Sequence, residues 1–152
     1  MANTYSQIYI QIIFSVKNRE SFIPKKRKEE LHKYITGIVE NKKCKMLAIN
    51  SVSDHIHIFV GLHPSSSISD LVKSIKIASN DKMNNEKWVR SKFAWQGGFG
   101  AFSYGRSQID SVCKYIQNQE KHHKHQSFRE EYIHFLEKFD VEYNPKYVFD
   151  IE

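Results

Sequence analysis

Two histidines stand one residue apart in the run Asp54-His55-Ile56-His57-Ile58-Phe59-Val60. Strand side chains alternate between two faces. His55, His57 and Phe59 therefore share one face, and Ile56, Ile58 and Val60 share the other. The apolar face can be buried without the histidines. The opposite face presents two imidazoles side by side, which is either a polar sheet surface or half of a metal site. A second group comes later, around Tyr115. Ile109, Val112, Cys113 and Ile116 recur at helical spacing, and Tyr115 falls off that stripe, on a flank with Gln108, Gln119 and His122. Tyr115 and Gln119 are four residues apart, hence neighbours on one helix face. Such a pair is either an amphipathic tyrosine at a core edge or a phenol with a polar assistant. No third or fourth His or Cys stands at zinc-ligand spacing, so a closed zinc site is not expected. The tract His122-His123-Lys124-His125 is read as cationic side chains suiting a helix C-terminus, with only His122 on the tyrosine flank.

These residues need elements to hold them. Residues 4–16 are rich in Ile, Tyr and Phe, lack Gly and Pro, and read as a first strand. Residues 19–23 are a connection, and Pro24 suits a first helical turn. Leu31, Tyr34, Ile35, Ile38 and Val39 then follow at helical spacing. Residues 44–52 and 55–62 read as two strands joined by a turn at Ser53-Asp54. Ser67 can cap a second helix whose buried stripe is Ile68, Leu71, Val72, Ile75 and Met83. Residues 99–104 are a fourth strand within Trp95-Gln96-Gly97-Gly98-Phe99-Gly100-Ala101-Phe102-Ser103-Tyr104-Gly105. A helix over 108–124 carries Tyr115. A last helix starts at Ser127, with Glu130 in capping-box spacing, and its stripe is Phe128, Tyr132, Phe135, Leu136 and Phe139.

The order β-α-β-β-α-β is the ferredoxin-like arrangement, an α+β fold with a four-stranded antiparallel sheet and two helices on one face. The side of Ile56, Ile58 and Val60 meets those helices. The histidine side looks onto the open face, which the two later helices are placed to cover. The whole chain, 1–152, reads as one domain with a core over about 4–139 and an extended tail from 140.

Composition narrows the partners. A chain of 152 residues, 40% hydrophobic, is long enough for a real core. No apolar run is long enough for a bilayer span and no secretion signal opens the chain, which argues for the cytoplasm and against a membrane partner. The only cysteines, Cys44 and Cys113, form no metal or redox motif. Residues 1–95 carry 16 Lys and Arg against 8 Asp and Glu, whereas residues 96–152 carry 7 against 9. A basic body suits a polyanion, nucleic acid above all, although solvated lysines would give the same count. The candidate phosphate contacts are Lys25, Lys26, Arg27, Lys28, Lys73, Lys76, Arg90 and Lys92, with Phe102 or Tyr104 as candidate base-stacking surfaces.

Taken together, the His-Ile-His strand, the Trp95–Gly105 segment and Tyr115-Ile116-Gln117-Asn118-Gln119 resemble the single-tyrosine HUH transposases of bacterial insertion sequences, of the 200/605 type. HUH stands for His, a hydrophobic residue and His. The resemblance covers roughly residues 5–139. It implies an enzyme that cuts and rejoins single-stranded DNA at hairpin-flanked ends through a 5′-phosphotyrosine, working as a homodimer with Mg²⁺ or Mn²⁺. By that resemblance Tyr115 is the nucleophile, and His55, His57 and Gln119 hold the metal. Gly105 becomes a hinge before the tyrosine helix. The first strand departs from a common family pattern that has a histidine and a basic segment there, so no DNA contact is carried over to it. Two other readings stay open: a non-catalytic module binding single-stranded nucleic acid by stacking, and a domesticated relative that cleaves hairpins in its host genome.

Overall fold

A computed structural model describes residues 3–17, 22–123 and 126–148. Most of the expected connection at 19–23 and two members of the histidine tract, Lys124 and His125, lie outside the described residues. The strands are β1 (Tyr9–Ser15), β2 (Lys45–Val52), β3 (His55–Gly61) and β4 (Gly100–Tyr104). They form one antiparallel sheet in the order β2-β3-β1-β4. This is the ferredoxin-like order, with β3 and β1 at the centre. The longer helices are α1 (Lys28–Asn41), α2 (Ile68–Asn85), α3 (Ile109–Gln117) and α5 (Phe128–Lys138), with a four-residue α4 (Gln119–His122) after α3.

The larger core lies between the sheet and α1 and α2. Ile12, Phe14, Ile56, Ile58 and Val60 from the sheet pack on Leu31, Ile35, Val39, Leu71 and Ile75 from the helices, all buried. The Trp95–Gly105 segment closes one end of this core. The Trp95 ring meets Phe14 edge-on at 4.8 Å, and its Nε1 donates to Ser79 Oγ at 2.8 Å. Gln96 binds the end of β1: its Oε1 accepts from the Ser15 amide at 2.9 Å, and its own amide donates to Ser15 O. These side chains are anchors for β1 and α2.

On the other face α3 and α5 cover the sheet, as the alternation of β3 requires. Phe59 and Ala48 pack on Val112 and Ile116 of α3. Ile13 and Phe102 pack on Phe128, Tyr132, Phe135 and Leu136 of α5. Helix α5 begins at the expected cap: Ser127 Oγ accepts from the Glu130 amide, and Glu130 Oε1 accepts from Ser127 N.

Four expectations need correction. The first strand starts at Tyr9, because its partners run out at Gly61 and Tyr104, the residues opposite Tyr9. Pro24 precedes a short 3-10 turn, Lys25–Arg27, and α1 proper starts at Lys28. The helix expected over 108–124 is interrupted at Asn118, where Asn50 Nδ2 captures the carbonyls of Ile116 at 2.8 Å and Gln117 at 3.2 Å. The tail is not extended through its described part. It turns back at Asp140 (φ 54°), Arg129 donates to Pro145 O at 3.1 Å, and Val148 packs against the α5 cluster.

Candidate metal and tyrosine site

The alternation of β3 puts His55 and His57 on the face that α3 and α5 cover, and both are fully buried. Buried polar groups need partners, and each imidazole has one at both nitrogens. His55 Nδ1 meets Asp54 Oδ1 at 2.8 Å, and its Nε2 lies 3.3 Å from both Glu131 Oε1 and Gln119 Oε1. His57 Nδ1 accepts from Gln11 Nε2 at 2.8 Å, and its Nε2 donates to Glu131 Oε1 at 3.0 Å. His123, just past α4, brings its Nε2 to the same Glu131 oxygen at 3.0 Å. Three imidazole nitrogens thus surround one carboxylate oxygen.

The other oxygen of Glu131 accepts the hydroxyl hydrogen of Tyr115 and, at 3.4 Å, one from Gln119 Nε2. Tyr115 is stacked on His122 at 4.4 Å and meets His57 edge-on at 6.1 Å. The phenol and the paired imidazoles therefore meet within a single chain. Beside Tyr115 opens a cleft of about 340 Å³ lined by Gln11, Tyr104, Ser111, His134 and Lys138 among others.

The charges follow from this packing. Burial alone would raise the Glu131 carboxyl, but hydrogen bonds from His123, His55 and His57 outweigh it and hold the group ionised, far below the usual carboxylate range. Burial pushes His57 down to about 4, so it is a neutral imidazole. Burial works against His55 as well, yet Asp54 and Glu131, one at each ring nitrogen, raise it. Burial, then the Glu131 carboxylate, raises the Tyr115 phenol well above its ordinary value.

His55, His57, His123 and Glu131 each offer a ligand atom, all within 4.8 Å of one another. Two ligands about 2.1 Å from one ion and at a right angle are about 3 Å apart, which matches the 3.0–3.3 Å between Glu131 Oε1 and the three nitrogens. The donor set fits a cation. Asp54 stands behind His55 as a carboxylate that accepts from Nδ1–H, the kind of partner that orients a metal-binding imidazole, and Gln11 holds the His57 ring from its other side.

Of the residues singled out by sequence, Tyr115, His55, His57 and Gln119 converge here. The histidine tract, set aside as a helix end, in fact supplies His123. Three further contributors were not singled out: Glu131, Asp54 and Gln11. Only Glu131 left a trace, as a carboxylate inside the apolar stripe of α5, three residues after Phe128 and four before Phe135. No third or fourth His or Cys stands at zinc-ligand spacing in the sequence; the fold brings His123 and Glu131, distant along the chain, beside the β3 pair.

None of the eight basic candidates lines the cleft beside Tyr115. Lys25, Lys26, Lys73, Arg90 and Lys92 are exposed. Arg27 pairs with Glu30 at 2.9 Å and Lys28 with Glu120 at 3.1 Å. Lys76 Nζ is committed to the carbonyls of Gln96 and Gly98. Phe102 is buried against Phe135 and Phe139, so it offers no surface to a base. Tyr104 lines the cleft with its hydroxyl donated to Gln11. Gly105 has an extended backbone (φ −84°) that any residue adopts, which gives no conformational argument for a hinge.

The model of the family described as "Transposase IS200 like" matches residues 4–119. A search of curated proteins finds no match. Among solved structures, a protein from Deinococcus radiodurans R1, provisionally described as a transposase, is 20% identical with a TM-score of 0.59, over 78% of this chain and 96% of that one. A REP-associated tyrosine transposase bound to a REP hairpin is 15% identical with a TM-score of 0.59, over 81% of this chain and 73% of that one. At such identities the likeness establishes the fold. Helix α5 lies beyond the family match.

Proposed function

The chain belongs to the IS200-like transposase family, and from that premise we propose that it cleaves and rejoins single-stranded DNA at hairpin-flanked ends, with Tyr115 as nucleophile. The observation that carries the reading is the Glu131 carboxylate touching both the Tyr115 hydroxyl and the paired histidines of the same chain. A nucleophile and a cation site have to share the scissile phosphate, and here they are neighbours.

His55 and His57 would hold the cation, with Gln119 beside them. A divalent ion there, Mg²⁺ or Mn²⁺, would offset the negative charge on the phosphate and on Glu131. The chain's own residues do the rest. The cleft lined by Gln11, Tyr104, His134 and Lys138 gives a strand access to Tyr115. The Tyr115 oxygen bonds to phosphorus as the bond from phosphorus to the 3′-oxygen breaks. The phenol loses a proton and the 3′-oxygen gains one, leaving a 5′-phosphotyrosine and a free 3′-hydroxyl. The covalent link keeps the energy of the broken bond, so a 3′-hydroxyl can reverse the step. In the resting arrangement Glu131 and burial both keep the phenol protonated, which guards the nucleophile until substrate and cation arrive.

A purely binding module that stacks bases on the sheet is disfavoured. The aromatic at the centre of the histidine face, Phe59, is fully buried under α3. A domesticated hairpin-cleaving relative would use the same residues, and a protein of this fold bound to a REP hairpin makes hairpin DNA a reasonable partner. Neighbouring genomic DNA separates that role from transposition, since a mobile element carries hairpins at its own ends.

The test is a denaturing gel of labelled single-stranded hairpin DNA incubated with Mn²⁺ and protein. Wild type should give a covalent protein–DNA adduct that EDTA prevents. Tyr115→Phe should bind DNA and give none, and His55→Ala/His57→Ala should give none. Normal nicking by Tyr115→Phe would overturn the assignment.

A further inference from the structure

We propose that His123 and Glu131, both beyond the family-matched residues, complete with His55 and His57 a cation site of three imidazoles and one carboxylate, and that this donor set selects a transition-metal ion over Mg²⁺. The inference rests on the metal-dependent reading above and sharpens it.

Three observations carry it. The first is geometric: Glu131 Oε1 already stands 3.0, 3.0 and 3.3 Å from the ring nitrogens of His57, His123 and His55, the spacing of neighbouring ligands on one ion. The second is burial. His55, His57 and Glu131 are 0%, 0% and 1% exposed. A carboxylate in such a place has to be paired or ligating, and α5 has to spend a core position between Phe128 and Phe135 to bring it there. The third is support. Asp54 fixes His55 from behind and Gln11 fixes His57, while the His123 ring packs edge-on against His55 at 4.4 Å and Phe128 stacks on His55 at 4.3 Å. A ligand set this well braced favours the ion whose preferences it matches.

Those preferences follow from donor chemistry. Mg²⁺ binds oxygen donors and gives up its water reluctantly. Imidazole suits first-row transition ions, and the carboxylate keeps Mn²⁺ in range. Four protein ligands on a five- or six-coordinate ion still leave a position for a phosphate oxygen. The same four on a tetrahedral Zn²⁺ would leave none, so Zn²⁺ should bind and block DNA cleavage.

The test reads metal binding directly. Purified full-length protein is titrated with Co²⁺ alone, followed by its visible absorption, and then challenged with Mg²⁺. Wild type should take up one Co²⁺ per chain, and a thousandfold excess of Mg²⁺ should not displace it. Glu131→Gln and His123→Asn should each weaken Co²⁺ binding at least tenfold, with native circular dichroism. If Glu131→Gln fails to fold, His123→Asn, at the partly exposed margin of the site, decides alone. Wild-type Co²⁺ affinity in the folded variants, or displacement by comparable Mg²⁺, would overturn the proposal. The His55→Ala/His57→Ala control separates the two levels. If it still binds Co²⁺ as wild type does, the metal-dependent reading fails. If it loses Co²⁺ while the Glu131 and His123 variants keep it, only the four-ligand site fails.

Discussion

Glu131 divides its two oxygens between different tasks. One gathers three imidazoles, and the other holds the hydroxyl of Tyr115. Substitution of Glu131 should be costly, because an unpaired group here would be buried and surrounded by groups arranged for a negative charge. A simpler titrating residue lies away from this cluster. His32 of α1 bonds Ser51 Oγ at 2.8 Å, and burial, helped by the nearby Lys28 charge, lowers it to about 4. In the unfolded chain it takes up a proton near its ordinary 6.5. Stability present at pH 7 should therefore be lost as pH falls from 6.5 to about 4, by roughly 1–3 kcal/mol. Urea unfolding of the metal-free protein at pH 7 and pH 4.5 measures it. His32→Gln, which keeps a hydrogen bond to Ser51 but has no proton to gain, should flatten that dependence.

Among the elements, α5 is the one that turns an open sheet into an enclosed site, and its seat depends on β4. A Cβ at Gly100 would lie 2.7 Å from Tyr132 Cε1 and 3.0 Å from Phe102 Cε2. The absence of a side chain there lets α5 approach the sheet closely. Gly100→Ala should cost about 1–3 kcal/mol, read as a lower midpoint in chemical unfolding. Adding Tyr132→Leu should recover part of that loss, because it removes the obstructing ring; two independent, additive losses would show that the contact is not the cause. The break between α3 and α4 matters in the same way. Asn50 ends α3 by occupying its last carbonyls, and the chain then turns so that Gln119 and His123 point back toward β3.

Across the whole molecule, the chemical groups are enclosed and the basic candidates are on the surface. The site is enclosed beneath α3 and α5, while Lys25, Lys26, Lys73, Arg90 and Lys92 are exposed. None of the helices described is long and apolar enough to cross a membrane. The family resemblance implies a homodimer, yet one chain here holds Tyr115 against its own histidines. The expected outcome of mixing is therefore no rescue: Tyr115→Phe combined with His55→Ala/His57→Ala should give no adduct on hairpin DNA. Appreciable adduct from the mixture, each partner being inactive alone, would mean that the tyrosine helix serves the other copy.

How much of this was open to reading before folding depended on distance along the chain. The period-two pattern of residues 55–60 determined which face of β3 carries the histidines, because adjacent strand residues must point opposite ways. The periodic stripes of α1, α2 and α5 and the Ser127-Glu130 cap were legible for the same local reason, and their order was enough for the sheet topology. The Tyr115 flank and Gln119 were visible as neighbours on one turn. The partners of these groups were not, since Glu131 is 76 residues from His55 and 16 from Tyr115, and only packing decides which polar residue of an apolar helix face ends under which strand. Where the first strand begins, where Asn118 interrupts a helix and which carboxylate meets three imidazoles were all settled by tertiary contacts, because burial makes each polar group find its partner wherever in the chain that partner lies.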